Sequence, residues 1–402
     1  MRKLLTVLDV KPENRFLFGI INFAFFTSGL AAIMLGAVLP YILSNNQLSY
    51  TQGGLLLSMH QAGNLSAVLI AGFLPFVLGR KVSTLILTIF SIIGLAFIVL
   101  ANNFIILLVA FAMTGIGRGT FGNTCNVVIA DVANNKTPAM NILHSIFAIG
   151  AFMSPAIVFV SIRVADWKMS LLTAAILVAI AWMLILRSNM PNLTEREQDS
   201  SEKSGRDLSF LKKAWFWAPT MLLFFYLAVE ASIIGWFVSY FIEVGVLPGV
   251  MAGFVPSMVW FTMIVGRISS ALISKHIKRK NFMLLFFALG ATICFLGLMV
   301  SRSALPCVIF LIGTGLCMAG IYPTTMATMK GVTSSVSVGF TIAIASFGSI
   351  LMPGIIGALA DARGLANAIA LLVFALIGLF AMVLFKMAVD KKEGKYETHP
   401  KS

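Results

Sequence analysis

Thr194–Asp207 reads TEREQDSSEKSGRD. It lies inside Arg187–Lys213, the one long polar stretch of a chain whose 402 residues are 59% hydrophobic and 11% charged. An ordinary soluble domain carries about 25% charged residues, and a chain with so few can do without them only where lipid covers most of its exterior. The composition of the stretch is that of a solvated linker. On either side of it lie apolar runs of the roughly 20 residues that a helix needs to cross a bilayer. Before the linker they fall at 16–43, 51–78, 82–101, 104–130, 138–162 and 167–187. After it they fall at 214–244, 248–273, 281–301, 304–328, 333–360 and 364–387. The reading is an all-α integral membrane protein with twelve transmembrane helices in two six-helix bundles, 1–187 and 214–402, joined by a linker at 188–213. Several runs exceed the bilayer thickness and are expected to tilt, kink or protrude.

A formal net charge of +14 could suggest nucleic acid, but the basic residues sit in short clusters between apolar runs, as cytoplasmic loops do. Lipid headgroups and membrane topology explain them, and no nucleic-acid partner is expected. With the N-terminus inside, 23 of the 29 lysines and arginines fall on the inner side, and Arg163, Lys168, Arg302 and Arg363 fall outside. Both termini are therefore expected in the cytoplasm, as an even number of spans requires. The four cysteines, Cys125, Cys294, Cys307 and Cys317, lie inside apolar runs without metal-ligand spacing or a disulfide framework. Met1–Arg15 is too polar for a signal-peptide core, so the first span reads as retained. The expected location is the cell membrane, multi-pass, and a monomer suffices for this architecture.

The halves echo each other. GFLPFVLGRK (Gly72–Lys81) stands between the second and third spans, and GRISSALISKHIKRK (Gly266–Lys280) between the matching spans of the second half. The repeat places a solute site near the midplane between the halves. The first of these loops resembles the major facilitator signature G-x-L-A-D-R-x-G-R-K/R. Gly72, Leu74, Gly79, Arg80 and Lys81 match, while Pro75, Phe76 and Val77 replace the small residue, the Asp and the first Arg. Within that superfamily, FFYLAVEASIIGWFVSYF (Phe224–Phe241), Gly266-Arg267, GLCMAGIYPT (Gly315–Thr324) and ILHSIFAIGAFMSP (Ile142–Pro155) are similar to the fucose–proton symporter group. The resemblance covers essentially the whole chain and implies the major facilitator fold, a transporter of small solutes, and a gating role for Gly79, Arg80, Lys81 and Arg267. One departure is plain. Sugar symporters of the group often carry an acid just before Leu-Pro in the first span and another in the fourth; here those places hold Gly36 and Gly122.

Ionisable groups inside a bilayer are costly and usually face a cavity or a partner. Glu230 lies near the middle of the seventh span and Arg118 near the middle of the fourth, both on helices that line the central cavity in the superfamily. Glu230 is the candidate proton-coupling residue, the alternative being a permanent hydrogen bond or ion pair that locks its helix. Arg118 stays protonated; it is expected to pair with Glu230 in the empty carrier, to clamp an anionic solute through its planar fork, or to hold neighbouring helices. Both charges are expected to face one water-filled hollow. Asn123 and Asn126 share one helix face, as do His60 and Asn64, with Gln61 beside them. Tyr226 stands one turn before Glu230, and Trp236 and Tyr240, four apart, could stack on a sugar ring. His144 and Tyr322 complete the substrate-binding candidates. For each of these, interhelical hydrogen bonding is an equal reading. Gly115 and Gly119 form a G-x-x-x-G expected to pack helices closely. Pro40, Pro75, Pro155, Pro323 and Pro353 are expected to kink theirs.

No G-x-x-x-x-G-K-S/T, H-E-x-x-H or G-x-S-x-G occurs, so neither an ATP engine, an enzyme nor a cofactor is implied. The expected function is uptake of a small polar solute, a sugar or sugar derivative, by alternating access, with protons as coupling partner and the bilayer as surroundings. Alternatives are an anionic solute held by Arg118 and export of amphipathic compounds. Pro155 is followed by Ala-Ile-Val rather than by the glycines of drug antiporters, which weighs against export.

Overall fold

A computed structural model describes residues 10–71, 73–191, 208–274, 277, 280–329 and 335–392. Its helices long and apolar enough to span number twelve. They are α1 (Arg15–Asn45), α2 (Tyr50–Ala71), α3 (Arg80–Leu100), α4 (Phe104–Val132), α5 (Lys136–Val164), α6 (Lys168–Arg187), α7 (Ala214–Val244), α8 (Gly249–Ile273) and α9 (Lys280–Val300), followed by α10 (Ala304–Thr328), α11 (Ser335–Arg363) and α12 (Leu365–Lys392). Of the expected linker, residues 192–207 lie outside the described residues, and Ser209–Lys212 forms one 3-10 turn.

Proline and glycine account for the interruptions. The second run, expected to reach residue 78, ends at Ala71, and Leu74–Leu78 forms a separate short helix with Pro75 in its first turn. A proline ring there removes one N–H and clashes with the carbonyl four residues back. The span α10 breaks at Gly320, because Pro323 cannot donate to the Ala319 carbonyl. Pro40, Pro155 and Pro353 lie inside continuous helices.

The packing repeats with an offset of six helices. In the first half α1 packs on α5 and α6, α2 on α4, and α3 on α4 and α6. In the second, α7 packs on α11 and α12, α8 on α10, and α9 on α10 and α12. Across the halves α1 meets α7, α2 meets α11 and α5 meets α8, a set that also maps onto itself under the same offset. α1 and α7 are the most enclosed spans, 78% and 67% buried over their most apolar windows, whereas Phe286, Leu305 and Phe374 project outward at 70–72% exposure. Apolar side chains facing outward are expected of helices bathed in lipid. Small residues allow the backbones to approach. A Cβ on Gly115 or Gly119 would strike the carbonyls of His60 and Asn64, so the G-x-x-x-G stripe is where α4 meets α2.

Each half clamps its third helix at the end bearing the basic loops. Gly79 turns the chain with φ of 79°, a backbone that glycine adopts without steric cost. Arg80 then pairs with Asp131 at the end of α4 (2.5 Å), and Lys81 Nζ donates to the Ser188 carbonyl just past α6 (2.8 Å). Asp131 thus faces the basic loop in which the signature's own acid is missing. In the second half Asn281, opening α9, donates to Asp390 of α12 (2.7 Å), and Lys386 Nζ donates to Asp390 (2.6 Å) and Asn281 (3.1 Å). Lys386 is therefore a buried member of the last span.

Candidate functional site

Glu230 and Tyr226 lie one turn apart on α7, and the Tyr226 hydroxyl donates to Glu230 Oε1 at 2.8 Å. Glu230 borders a closed void of about 10 Å³, with Met263 of α8 and Thr314 and Met318 of α10 among its walls. That is room for at most one water. Arg118 borders a second closed void of about 10 Å³, within the first half, with Ser28, Ser91 and Thr114. The two charges act on each other electrostatically across the interface between halves, but they occupy separate voids. The expected common hollow is not formed in this conformation.

The bonds around Arg118 settle a proton's position. Arg118 Nη1 lies 3.4 Å from His60 Nε2 and 3.4 Å from Gln61 Oε1. A guanidinium only donates, so Nε2 is the acceptor and His60 is neutral, with its proton on Nδ1. Nδ1 donates to Thr114 Oγ1 (3.0 Å), whose own hydroxyl donates to the Phe111 carbonyl (2.7 Å). A relay of donors thus runs from Arg118 to the backbone of α4. Asn126 turns back to the Gly122 carbonyl (2.5 Å), leaving Oδ1 buried without a partner among the described residues. Asn64 and Asn123 are half-buried and make no side-chain hydrogen bond among the described residues.

A cavity of about 580 Å³ lies between the halves at the end bearing the basic loops, within the 300–1,000 Å³ range of small-molecule sites. Asn141 and His144 of α5 form one wall; Arg267 of α8, Lys280 of α9, and Tyr322 and Thr324 of α10 form the other. Arg267, expected at a gate, therefore lines this cavity, with its guanidinium 5.9 Å from the Trp260 ring. Its charge also acts on the Tyr226 hydroxyl. The rings of Tyr322 and Tyr226 are 5.9 Å apart, so two tyrosines lead from the cavity wall to Glu230. His144 sits edge-on to Phe25 at 5.5 Å.

Trp236 and Tyr240 do not reach this cavity. Trp236 is fully buried and donates to the Pro353 carbonyl at 3.1 Å, while Tyr240 packs on Phe237 and Phe241. In place of a platform for a sugar ring, both are packing groups on the closed side. Gly79, Arg80 and Lys81 make the contacts within the first half described above.

At the end opposite the basic loops the halves are fastened by residues outside the initial candidates. Asp361, ending α11, accepts from the backbone N–H groups of Tyr50 and Thr51 at 2.8 Å each. Glu243, ending α7, accepts from the Tyr50 hydroxyl and from the Leu365 N–H. Beneath this clasp Gly54 of α2 faces the Pro353 carbonyl and Gly357 of α11 so closely that a Cβ would stand 2.6 Å from the former. The halves are held together at this end, where Tyr50, Ser239, Glu243 and Asp361 line an outer recess of about 570 Å³, and the cavity of about 580 Å³ lies at the other.

The Major Facilitator Superfamily model matches residues 21–334. The glucose/mannose transporter of Bacillus subtilis (strain 168) is 24% identical over 360 residues, which cover 83% of this chain and 85% of that one. Among solved structures, a bacterial homologue of the human lysosomal transporter Spinster, inward-facing and unoccupied, aligns with TM-score 0.78 at 15% identity, over 97% of this chain and 100% of that one. The E. coli fucose:proton symporter aligns with TM-score 0.62 at 18% identity, over 93% and 99%. A family model that matches most of the chain, together with twelve helices packed as two repeats, places it: the chain belongs to the Major Facilitator Superfamily and is a membrane transporter.

Proposed function

We propose that this transporter takes up a sugar or sugar derivative across the cell membrane, driven by protons that load and leave at Glu230. The solute part of this reading is supported by the glucose/mannose relative, whose alignment runs through both halves. The carrying observation for coupling is the path from solute cavity to carboxylate. Tyr322 lines the cavity, Tyr226 packs on Tyr322, and Tyr226 donates to Glu230 at 2.8 Å. A carboxylate held by a hydroxyl donor inside a span can exchange a proton when a few waters enter. The pair 1–187 and 214–402 rocks about the midplane on the 188–213 linker, and both termini lie in the cytoplasm. The cavity lined by His144, Arg267 and Tyr322 is then the inward-facing solute site, and the Asp361–Glu243 clasp is the closed outer gate.

Proteoliposomes loaded with unlabelled solute test the coupling. Glu230→Gln is expected to preserve counterflow exchange of labelled glucose or mannose while accumulation driven by an imposed proton gradient falls to the equilibrium level. If exchange and accumulation both survive intact, Glu230 is not where the proton binds.

A further inference from the structure

Building on the uptake reading, we infer that the solute carries a carboxylate and that Arg267 is the group that seats it. Arg267 is a half-buried cation inside a membrane span. Among the described residues it forms no ion pair, whereas Arg80 and Lys386 each have an aspartate. No side-chain hydrogen bond of its guanidinium is formed among the described residues, and the Tyr226 proton points to Glu230. A guanidinium has five N–H groups, and Arg267 borders the cavity.

The charge of that cavity has one sign. Among the described residues its basic lining is Arg267, Lys280 and His144, without an aspartate or glutamate. An intramembrane cation is retained when it meets a counter-charge or marks a solute path. Among the described residues no carboxylate pairs with it, and a solute in the cavity can supply one. The planar fork matches a carboxylate with two parallel bonds, a geometry a lysine cannot offer. Asn141 and Thr324, on facing walls, offer donors and acceptors for hydroxyls. A hexuronate combines both features. Arg118 is a poorer seat, since it borders a void with room for at most one water.

The test uses the purified full-length protein and the relative affinity for D-glucuronate and D-glucose, read by thermal stabilisation titrations, with D-glucose 6-phosphate as a third ligand. Wild type is expected to prefer glucuronate. Arg267→Gln is expected to weaken glucuronate by about 10-fold or more, the effect of losing a charge-assisted contact, and to leave glucose little changed. Arg267→Lys keeps the charge without the fork and is expected to fall between. The ratio of affinities is the readout, because a misfolded variant loses both ligands together. Equal affinities in wild type, preference for the phosphate, or a ratio untouched by Arg267→Gln would each overturn the carboxylate seat and leave sugar uptake standing. Arg267-dependent glucuronate binding without proton-driven accumulation would instead uphold the seat and remove the coupling reading. Silence from all three ligands would overturn the seat together with the sugar reading.

Discussion

Gly36→Asp, which restores an acid where sugar symporters of the resembling group carry one, is expected to abolish transport, whereas Gly122→Asp leaves a working carrier. A Cβ on Gly36 would overlap the Ile234 carbonyl oxygen and stand 3.1 Å from its carbon and 3.2 Å from Gly235 Cα. All three are backbone atoms of α7, so no side-chain rotation relieves the overlap; the two central helices must part. Overpacking of this kind costs about 1–3 kcal/mol, and a carboxylate pressed unpaired into that contact adds roughly as much again. The sum disfavours the close α1–α7 approach by on the order of 100-fold or more. A Cβ on Gly122 meets nothing within 4 Å, so the same change there is accommodated. The measurement is uptake by the two variants at matched expression, with Gly36→Ala as the uncharged control, expected to be impaired less than the aspartate. Wild-type uptake by Gly36→Asp would show that α1 and α7 never come this close during the cycle.

Gly36 also shows what could be read before the structure was known. Its identity was visible as a departure from a family pattern, but the cause was not, because a glycine that admits a carbonyl from another half looks like any other small residue. The fold was legible because its signal is local: twelve apolar runs and one polar linker need no tertiary knowledge. Even the breaks at Ala71 and Gly320 follow from Pro75 and Pro323. Glu230 and Arg118 stood out by rarity. Their separation into two closed voids did not, since it depends on the conformation adopted.

Other features were hidden for reasons of rotation and depth. Trp236 and Tyr240 look amphipathic on a helical wheel, yet both turn into packing contacts, and the recess that α7 borders is lined by Ser239, Ile242 and Glu243 instead. Arg267 falls within the eighth apolar run, where the resemblance implies a gate. It turns into the cavity because its neighbour Gly266 is pressed on α10, 2.7 Å from the Leu316 carbonyl oxygen in the measure of an added Cβ. Lys386 and Asp390 form an i,i+4 pair that resembles a solvated tail; only the packing of α9 against α12 reveals that it is buried. Asp361 sits at a span end, and its bond partners lie 310 and 311 residues away.

The double variant Asp361→Asn with Glu243→Gln is expected to part the halves at the end where these two residues clasp them. Ser49 and Gln52 satisfy each other reciprocally at the start of α2: Ser49 N–H donates to Gln52 Oε1, and Gln52 N–H donates to Ser49 Oγ. Such a capping box leaves the first-turn N–H groups of Tyr50 and Thr51 unpaired within their own helix. Asp361 takes both from the other half, and the positive end of α2 adds to the attraction. A hydrogen bond to a charged group contributes about 1.5–3 kcal/mol. After discounting for the exposure of Asp361 to water, the clasp as a whole is worth about 2–3 kcal/mol to the closed state. Removing both charges keeps the side-chain shapes and shifts the closed-to-open ratio by on the order of 30- to 100-fold. Ser239 reports the change, since it lies at the wall of the recess beside Glu243 with its hydroxyl buried and, among the described residues, unpartnered. In a background without the four native cysteines, Ser239→Cys is expected to react with a membrane-impermeant thiol reagent at least 10-fold faster when the clasp is removed. Transport by the same variant slows, because a carrier biased toward one side returns less often to the other. An unchanged labelling rate would mean that α2 and α11 are held by their glycine contact alone, with Asp361 and Glu243 as bystanders at the rim.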